Sequence, residues 1–121
     1  MTRTTAPTAA PIGANKLTAM IINHIYSAGG YAWRAQSSGL FDRAKGSYRS
    51  APKVGVSDVM ACWRGRMVAI EIKIGKDSLR PEQVGFMANV IHAGGAAFVA
   101  KTFPEFLKEW DHLTKTSPAL K

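Results

Sequence analysis

Apolar and polar positions alternate most cleanly between Met67 and Ile74. Val68, Ile70, Ile72 and Ile74 share one parity, and only Glu71 and Lys73 interrupt the run on the other. Side chains alternate faces along a strand, so four β-branched residues point one way while Glu71 and Lys73 point together the other way. The preceding run, Val54 to Trp63, reaches this strand through Arg64-Gly65-Arg66, and an X-Gly pair between apolar runs is a hairpin signal. The loop decides the register. With Arg64 and Gly65 as a two-residue loop, Trp63 faces Arg66 and Asp58 lies opposite Glu71. With Gly65 and Arg66 instead, Asp58 lies opposite Lys73, still on the same face. A three-residue loop would separate Asp58 from Glu71.

The pattern changes period on either side of this hairpin. From Lys16 to Ala28, Leu17, Met20, Ile21, Ile25 and Ala28 recur every three or four residues, predicting an amphipathic helix capped by Asn15 and stopped by Gly29-Gly30. Tyr31 to Gln36 alternates again and reads as a first strand with Trp33 in the core. A second helix is expected over Leu79 to Ala93, capped by Ser78, with Pro81 and Glu82 in its first turn and a buried stripe of Val84, Met87, Val90 and Ile91. His92 falls where it can meet the last carbonyls. After Gly94-Gly95, the continuous apolar run Ala96 to Ala100 reads as a strand covered on both faces, inside the sheet and parallel to the Glu71 strand. Thr102-Phe103-Pro104-Glu105 is a capping-box signature for a last helix to about Leu113, with Phe106, Leu107 and Trp110 inward. The expected architecture is α-β-β-β-α-β-α, a mixed sheet flanked by helices. One domain spans 15–113, between a Thr/Ala/Pro-rich arm (1–14) and a short tail (114–121).

Charge narrows the classes of partner. Sixteen Lys and Arg against eight Asp and Glu give a net charge of +8 in 121 residues. Ten of those sixteen bases fall between Arg34 and Arg80, around the hairpin, which points to phosphate backbone. The stretch 37–53 lacks a period but interleaves Arg43, Lys45, Arg49 and Lys53 with Phe41 and Tyr48, a composition suited to nucleic acid. Cys62 is the single cysteine and excludes an internal disulfide; on the even parity of its strand it reads as a small core residue. No apolar run approaches a bilayer span and the arm has no secretory core, so an intracellular protein without membrane contact is expected.

The chemistry lies on the polar face of the hairpin. Directly opposed carboxylates sit about 4.5–5.5 Å apart at Cβ and repel unless a cation lies between them. Asp58 and Glu71 therefore make a candidate site for Mg²⁺ or Mn²⁺, which favour oxygen donors. Lys73 beside them can orient or help deprotonate a water and offset charge building on a phosphate. The bland alternative, an exposed Glu-x-Lys ion pair, leaves Asp58 in register and the basic surroundings unexplained.

Gly55-Val56-Ser57-Asp58, then Ile70-Glu71-Ile72-Lys73, then Ser78, Gln83 and Phe86 ahead of Gly94-Gly95, resembles the VRR-NUC branch of the PD-(D/E)xK nuclease superfamily over about Lys16 to Phe103. The resemblance implies a restriction-endonuclease-like α/β fold and metal-dependent phosphodiester cleavage. In stand-alone bacterial or phage members it implies a preference for branched or flapped DNA, including four-way junctions. It also gives Gln83 a supporting role at the site and makes Arg34, with Lys76 and the basic loop, a DNA contact. Many relatives carry an acid on the first helix, whereas no Asp or Glu occurs here before Asp42. Asn15, Asn23 and His24 are the weak substitutes, and the departure favours one ion held by Asp58, Glu71 and the Ile72 carbonyl. Alternatives are a nuclease of ordinary duplex, a DNA-binding module of the same fold without turnover, and a partner-binding subunit. A homodimer is expected, because one site cuts one strand; Ile22 and Tyr26 of the first helix and Leu113 are the candidate contacts.

Overall fold

The Arg64-Gly65 turn sets the geometry of the molecule. A computed structural model of the chain describes residues 12–35, 40–42, 47–49 and 55–116. Both turn residues have positive φ, 49° at Arg64 and 79° at Gly65. That is the type I′ conformation, whose twist matches a two-residue hairpin. The strands it joins, Val59–Trp63 and Arg66–Ile72, pair with Trp63 facing Arg66 and Val59 facing Ile70. Of the three loops allowed by the sequence, this is the one that carries Asp58 toward Glu71.

In chain order the elements are α1 (Ala14–Ser27), β1 (Tyr31–Arg34), β2 (Leu40–Asp42), β3 (Ser47–Arg49), β4 (Val59–Trp63), β5 (Arg66–Ile72), α2 (Pro81–His92), β6 (Ala96–Ala100) and α3 (Phe103–Thr116). The main sheet runs β1-β4-β5-β6, antiparallel except for the parallel β5/β6 pair. This is the expected order with one addition: β2 and β3 form a separate antiparallel pair within the stretch expected to be loop. Three-residue strands are too short to leave a readable alternation.

One face of the sheet presents Ala32, Val59, Ala61, Val68, Ile70, Ile72 and Ala100 to Leu17, Ile21 and Ile25 of α1 and Phe106, Trp110 and Leu113 of α3, forming the main core. Among the described residues, the other face carries only α2. Val90 packs there with Met60 and Ala69, joined by Phe86, Ala97, Val56 and Ala35. Asp58, Glu71 and Lys73 share the parity of this second face.

Several expectations are corrected. β6 lies at the edge of the sheet, because its apolar run reflects α2 above it and α3 below, not a strand on each side. Trp33 is 41% exposed and Cys62 is exposed, since both fall on the second face beyond the reach of α2. On α2, Val90 is buried but Val84 and Ile91 are 50% and 53% exposed, because only one narrow stripe of the helix meets the sheet. The helix begins at Pro81 with Arg80 as N-cap, not Ser78, as the fixed φ of proline favours the first helical position. Gly13, not Asn15, caps α1. The α3 start follows expectation: Thr102 Oγ1 accepts the Glu105 N–H at 3.2 Å, and Glu105 Oε1 accepts the Lys101 N–H at 3.1 Å.

Candidate active site

Asp58 immediately precedes β4, and one further step of the β4/β5 register places it opposite Glu71. Its main-chain carbonyl accepts the Ala35 N–H at 2.9 Å, tying the end of β1 to it, and its Oδ2 accepts the Ile72 N–H at 2.8 Å. The carboxylate thereby replaces the ladder partner that Ile72 lacks where β4 begins, and the bond fixes its direction. Gly55, three residues earlier, has φ 78°, and a Cβ there would lie 2.2 Å from the Glu82 carbonyl oxygen. Only glycine lets the approach to Asp58 lie this close to the first turn of α2.

Glu71 is 1% exposed. Gln83 Nε2 donates to its Oε1 at 2.9 Å, while Gln83 Oε1 accepts the Arg80 N–H at 2.9 Å. One side chain therefore caps α2 and supports the carboxylate. Two buried oxygens here, Glu71 Oε2 and Ser57 Oγ, make no hydrogen bond. Burial first, then the neighbouring Asp58 carboxyl, push the Glu71 carboxyl from its usual 4.5 to about 7; the charge of Lys73 opposes the shift. Lys73, 9% exposed, follows β5, and its N–H reaches the Ala100 carbonyl at 3.2 Å.

The arrangement suits a hard divalent cation. Each carboxylate is anchored through one oxygen, Asp58 by Ile72 and Glu71 by Gln83, and the second oxygen of Glu71 is buried without a partner. A buried, crowded carboxyl pair is costly with both groups ionised, and a cation between them removes that cost. Among the described residues no cluster of three or more His, Cys, Asp or Glu occurs. The acidic groups that the described residues bring together here are the Asp58 and Glu71 carboxylates.

Asp58, Glu71, Ile72, Lys73 and Gln83 are brought together as the sequence suggests. Arg34 lies at the same end of the sheet but on the opposite parity, exposed, with Nη1 donating to Asn15 Oδ1 at 3.2 Å. That occupies Asn15. His24 packs edge-on against Phe103 and Phe106 on the far side of the sheet, so it does not substitute for an acid at the site, and Asn23 is exposed. Lys76 is exposed in the turn after Lys73. Arg43, Lys45 and Lys53 lie outside the described residues, as does the side chain of Arg49, whose backbone pairs with Leu40. The signal for Gly55 and Ser57 as parts of the site lay only in their place ahead of Asp58.

The chain has a restriction-endonuclease-like α/β fold: a four-stranded mixed sheet with helices on both faces and a carboxylate pair at one end. Its structure is similar to that of Hjc, a Holliday junction resolvase from the archaeal hyperthermophile Archaeoglobus fulgidus, with a TM-score of 0.51 and 21% sequence identity over 73% of this chain and 67% of the resolvase. No protein-family model and no curated protein matches the sequence.

Proposed function

We propose that the protein is a divalent-metal-dependent DNA endonuclease of the VRR-NUC type acting on branched, flapped or four-way junction DNA. The observation that carries this reading is the buried Asp58–Glu71 pair, each carboxylate anchored through one oxygen and Glu71 Oε2 left without a partner. The likeness of the fold to a Holliday junction resolvase supports the substrate class. The net charge of +8 supports a polyanionic partner.

In this reading Asp58, Glu71 and the Ile72 carbonyl hold Mg²⁺ or Mn²⁺, which when bound supplies Lewis acidity to the phosphate and lowers the pKa of a coordinated water. The remaining work belongs to the chain. The Ile72 N–H and Gln83 keep both carboxylates aimed without reorganisation, and the Lys73 ammonium offsets charge that grows on the phosphate oxygens. Arg34 and Lys76, with Arg43, Lys45, Arg49 and Lys53, neutralise backbone phosphates. The protein acts inside the cell, and no helix among the described residues is long and apolar enough to cross a membrane.

The absence of a third acid among the described residues favours a single ion and gives a second reading, a DNA-binding module without turnover. One experiment separates them. Duplex, flap, splayed and four-way DNA are incubated with Mg²⁺ or Mn²⁺ and the wild type, Asp58→Asn, Glu71→Gln or Lys73→Ala. The nuclease reading expects cleavage by wild type alone, with binding kept in the carboxamide variants. Binding without cleavage by wild type supports the module, and near wild-type cleavage by either carboxamide variant overturns the site.

A further inference from the structure

The sheet ends on an open strand at β6. The Lys73 N–H donates to the Ala100 carbonyl, so main-chain groups of that parity, at Ala96, Phe98 and Ala100, point toward β5. Those of Ala97 and Val99 point outward, and among the described residues no hydrogen bond reaches them. The next outward N–H, that of Lys101, is held by Glu105 at 3.1 Å. Ala96–Ala100 contains no proline, charge or bulge of the kind that blunts exposed edges.

Beside this edge lies a cavity of about 210 Å³, between the end of α2 and the second half of α3. Ile91, Phe98 and Leu113 supply its apolar lining, and Arg66, Glu109 and His112 its polar lining. The exposure of Ile91, which belongs to neither core, falls here. Ala96, also in the lining, is the register partner of Val68, roughly 10 Å along β5 from Glu71, so the cavity is separate from the carboxylate pair.

From this edge we infer that β6 takes up an extended, acidic segment of a partner protein by strand addition, one apolar side chain of that segment filling the cavity. Unpaired main-chain groups select the conformation. The flank of a helix has no main-chain donors or acceptors to spare, whereas a strand supplies one of each to Ala97 and to Val99. The cavity is smaller than the roughly 300–1,000 Å³ of small-molecule pockets and suits a single side chain. Charge selects the composition. Arg66 lies at the start of the edge, donating to the Gly94 carbonyl at 3.2 Å, and exposed Lys101 stands at its end. Both ends therefore favour carboxylates, while Glu109 disfavours one inside the cavity. The same charges disfavour a second copy, because pairing β6 with itself about a two-fold axis sets each Arg66 against a Lys101. Of the contacts expected for a homodimer, moreover, Leu113 is 5% exposed and Ile22 packs against the main core.

The test uses neither DNA nor metal, so its failure is distinct from failure of the nuclease reading. A phage library of random linear octapeptides is panned against the full chain, and the selected peptides are synthesised and titrated by fluorescence anisotropy. Acidic sequences with one recurrent bulky apolar position are expected. On binding, amide exchange should slow at least about tenfold at Ala97 and Val99 and stay unchanged at Phe98 and Ala100, which already bond β5. Val99→Pro removes an outward N–H and no bond to β5, and Ile91→Glu puts a charge at the cavity. Each should weaken binding at least about tenfold, whereas Val99→Ala, which keeps the N–H, should not. Protected amides at Phe98 and Ala100 show that the variants keep the β5/β6 pair; should Val99→Pro lose them, Ile91→Glu, at a half-exposed helix position, carries the test. A library that yields no binder overturns the proposal, as do peptides whose affinity survives both substitutions or that leave Ala97 and Val99 unprotected. Two other occupants would overturn it as well. Protection of these amides that rises with protein concentration alone assigns the edge to a second copy, and protection in the free chain that vanishes when residues 117–121 are removed assigns it to the chain's own tail.

Discussion

Ionised Glu71 should cost the metal-free protein stability. Its folded pKa of about 7 lies above the usual 4.5, so stability linked to this group is full below 4.5 and is lost as pH rises through 7. Between about pH 5.5 and about pH 8 the linkage amounts to roughly 1.4 pKa units, or about 2 kcal/mol at 1.36 kcal/mol per unit. For a domain of this size that is roughly 6–10 °C in Tm. Glu71→Gln keeps an oxygen for Gln83 but has nothing to ionise. In EDTA, therefore, the variant should gain about that much in Tm over wild type between the two pH values, read by scanning calorimetry. Mg²⁺ should reverse the trend in wild type, stabilising it more at pH 8, where no proton competes, and should leave the variant unmoved. A wild type that tracks the variant across the range would refute the burial of Glu71 against Asp58.

Other outcomes follow from single contacts. Gly55→Ala places a Cβ 2.2 Å from the Glu82 oxygen and should cost more than about 2 kcal/mol in urea melts. Gln83→Ala leaves the Arg80 N–H and Glu71 Oε1 without partners, a loss of about 1–3 kcal/mol; Gln83→Glu should restore the cap but not cleavage, as measured by melting and nicking side by side. Asp58→Ala should be less stable than Asp58→Asn by about 1–2 kcal/mol, because the amide oxygen can still accept the Ile72 N–H. Replacing Arg43, Lys45, Arg49 and Lys53 with alanine should flatten the salt dependence of DNA binding by about 0.9 per lost phosphate contact on a log–log plot, and an unchanged slope would remove that stretch from the interface.

What the sequence made legible was local. Parity put Glu71 and Lys73 on one face and either two-residue loop added Asp58 to them, but the structure was needed to exclude the three-residue loop that would have parted Asp58 from Glu71. What it hid was coverage. The alternation of β4 says that Cys62 and Ala61 point oppositely, but α2 decides which face stays dry, and it stops short of Cys62. Trp33 was misplaced for the same reason. In β6 the fully apolar run reports the helices above and below and says nothing of lateral neighbours. Gln83 became visible as a site residue only through resemblance, since a glutamine in a first turn has no periodicity to betray it.

Because Gln83 both starts α2 and holds Glu71, the first helical turn cannot fray while the carboxylate stays in place. Opening that turn and exposing Glu71 to solvent are one local unfolding event, with one free energy. Amide hydrogen exchange at Arg80 therefore reports on the carboxylate from outside the site. On the proposed reading, an ion held by Glu71 slows that exchange, and the start of a surface helix reads out occupancy of the carboxylate pair.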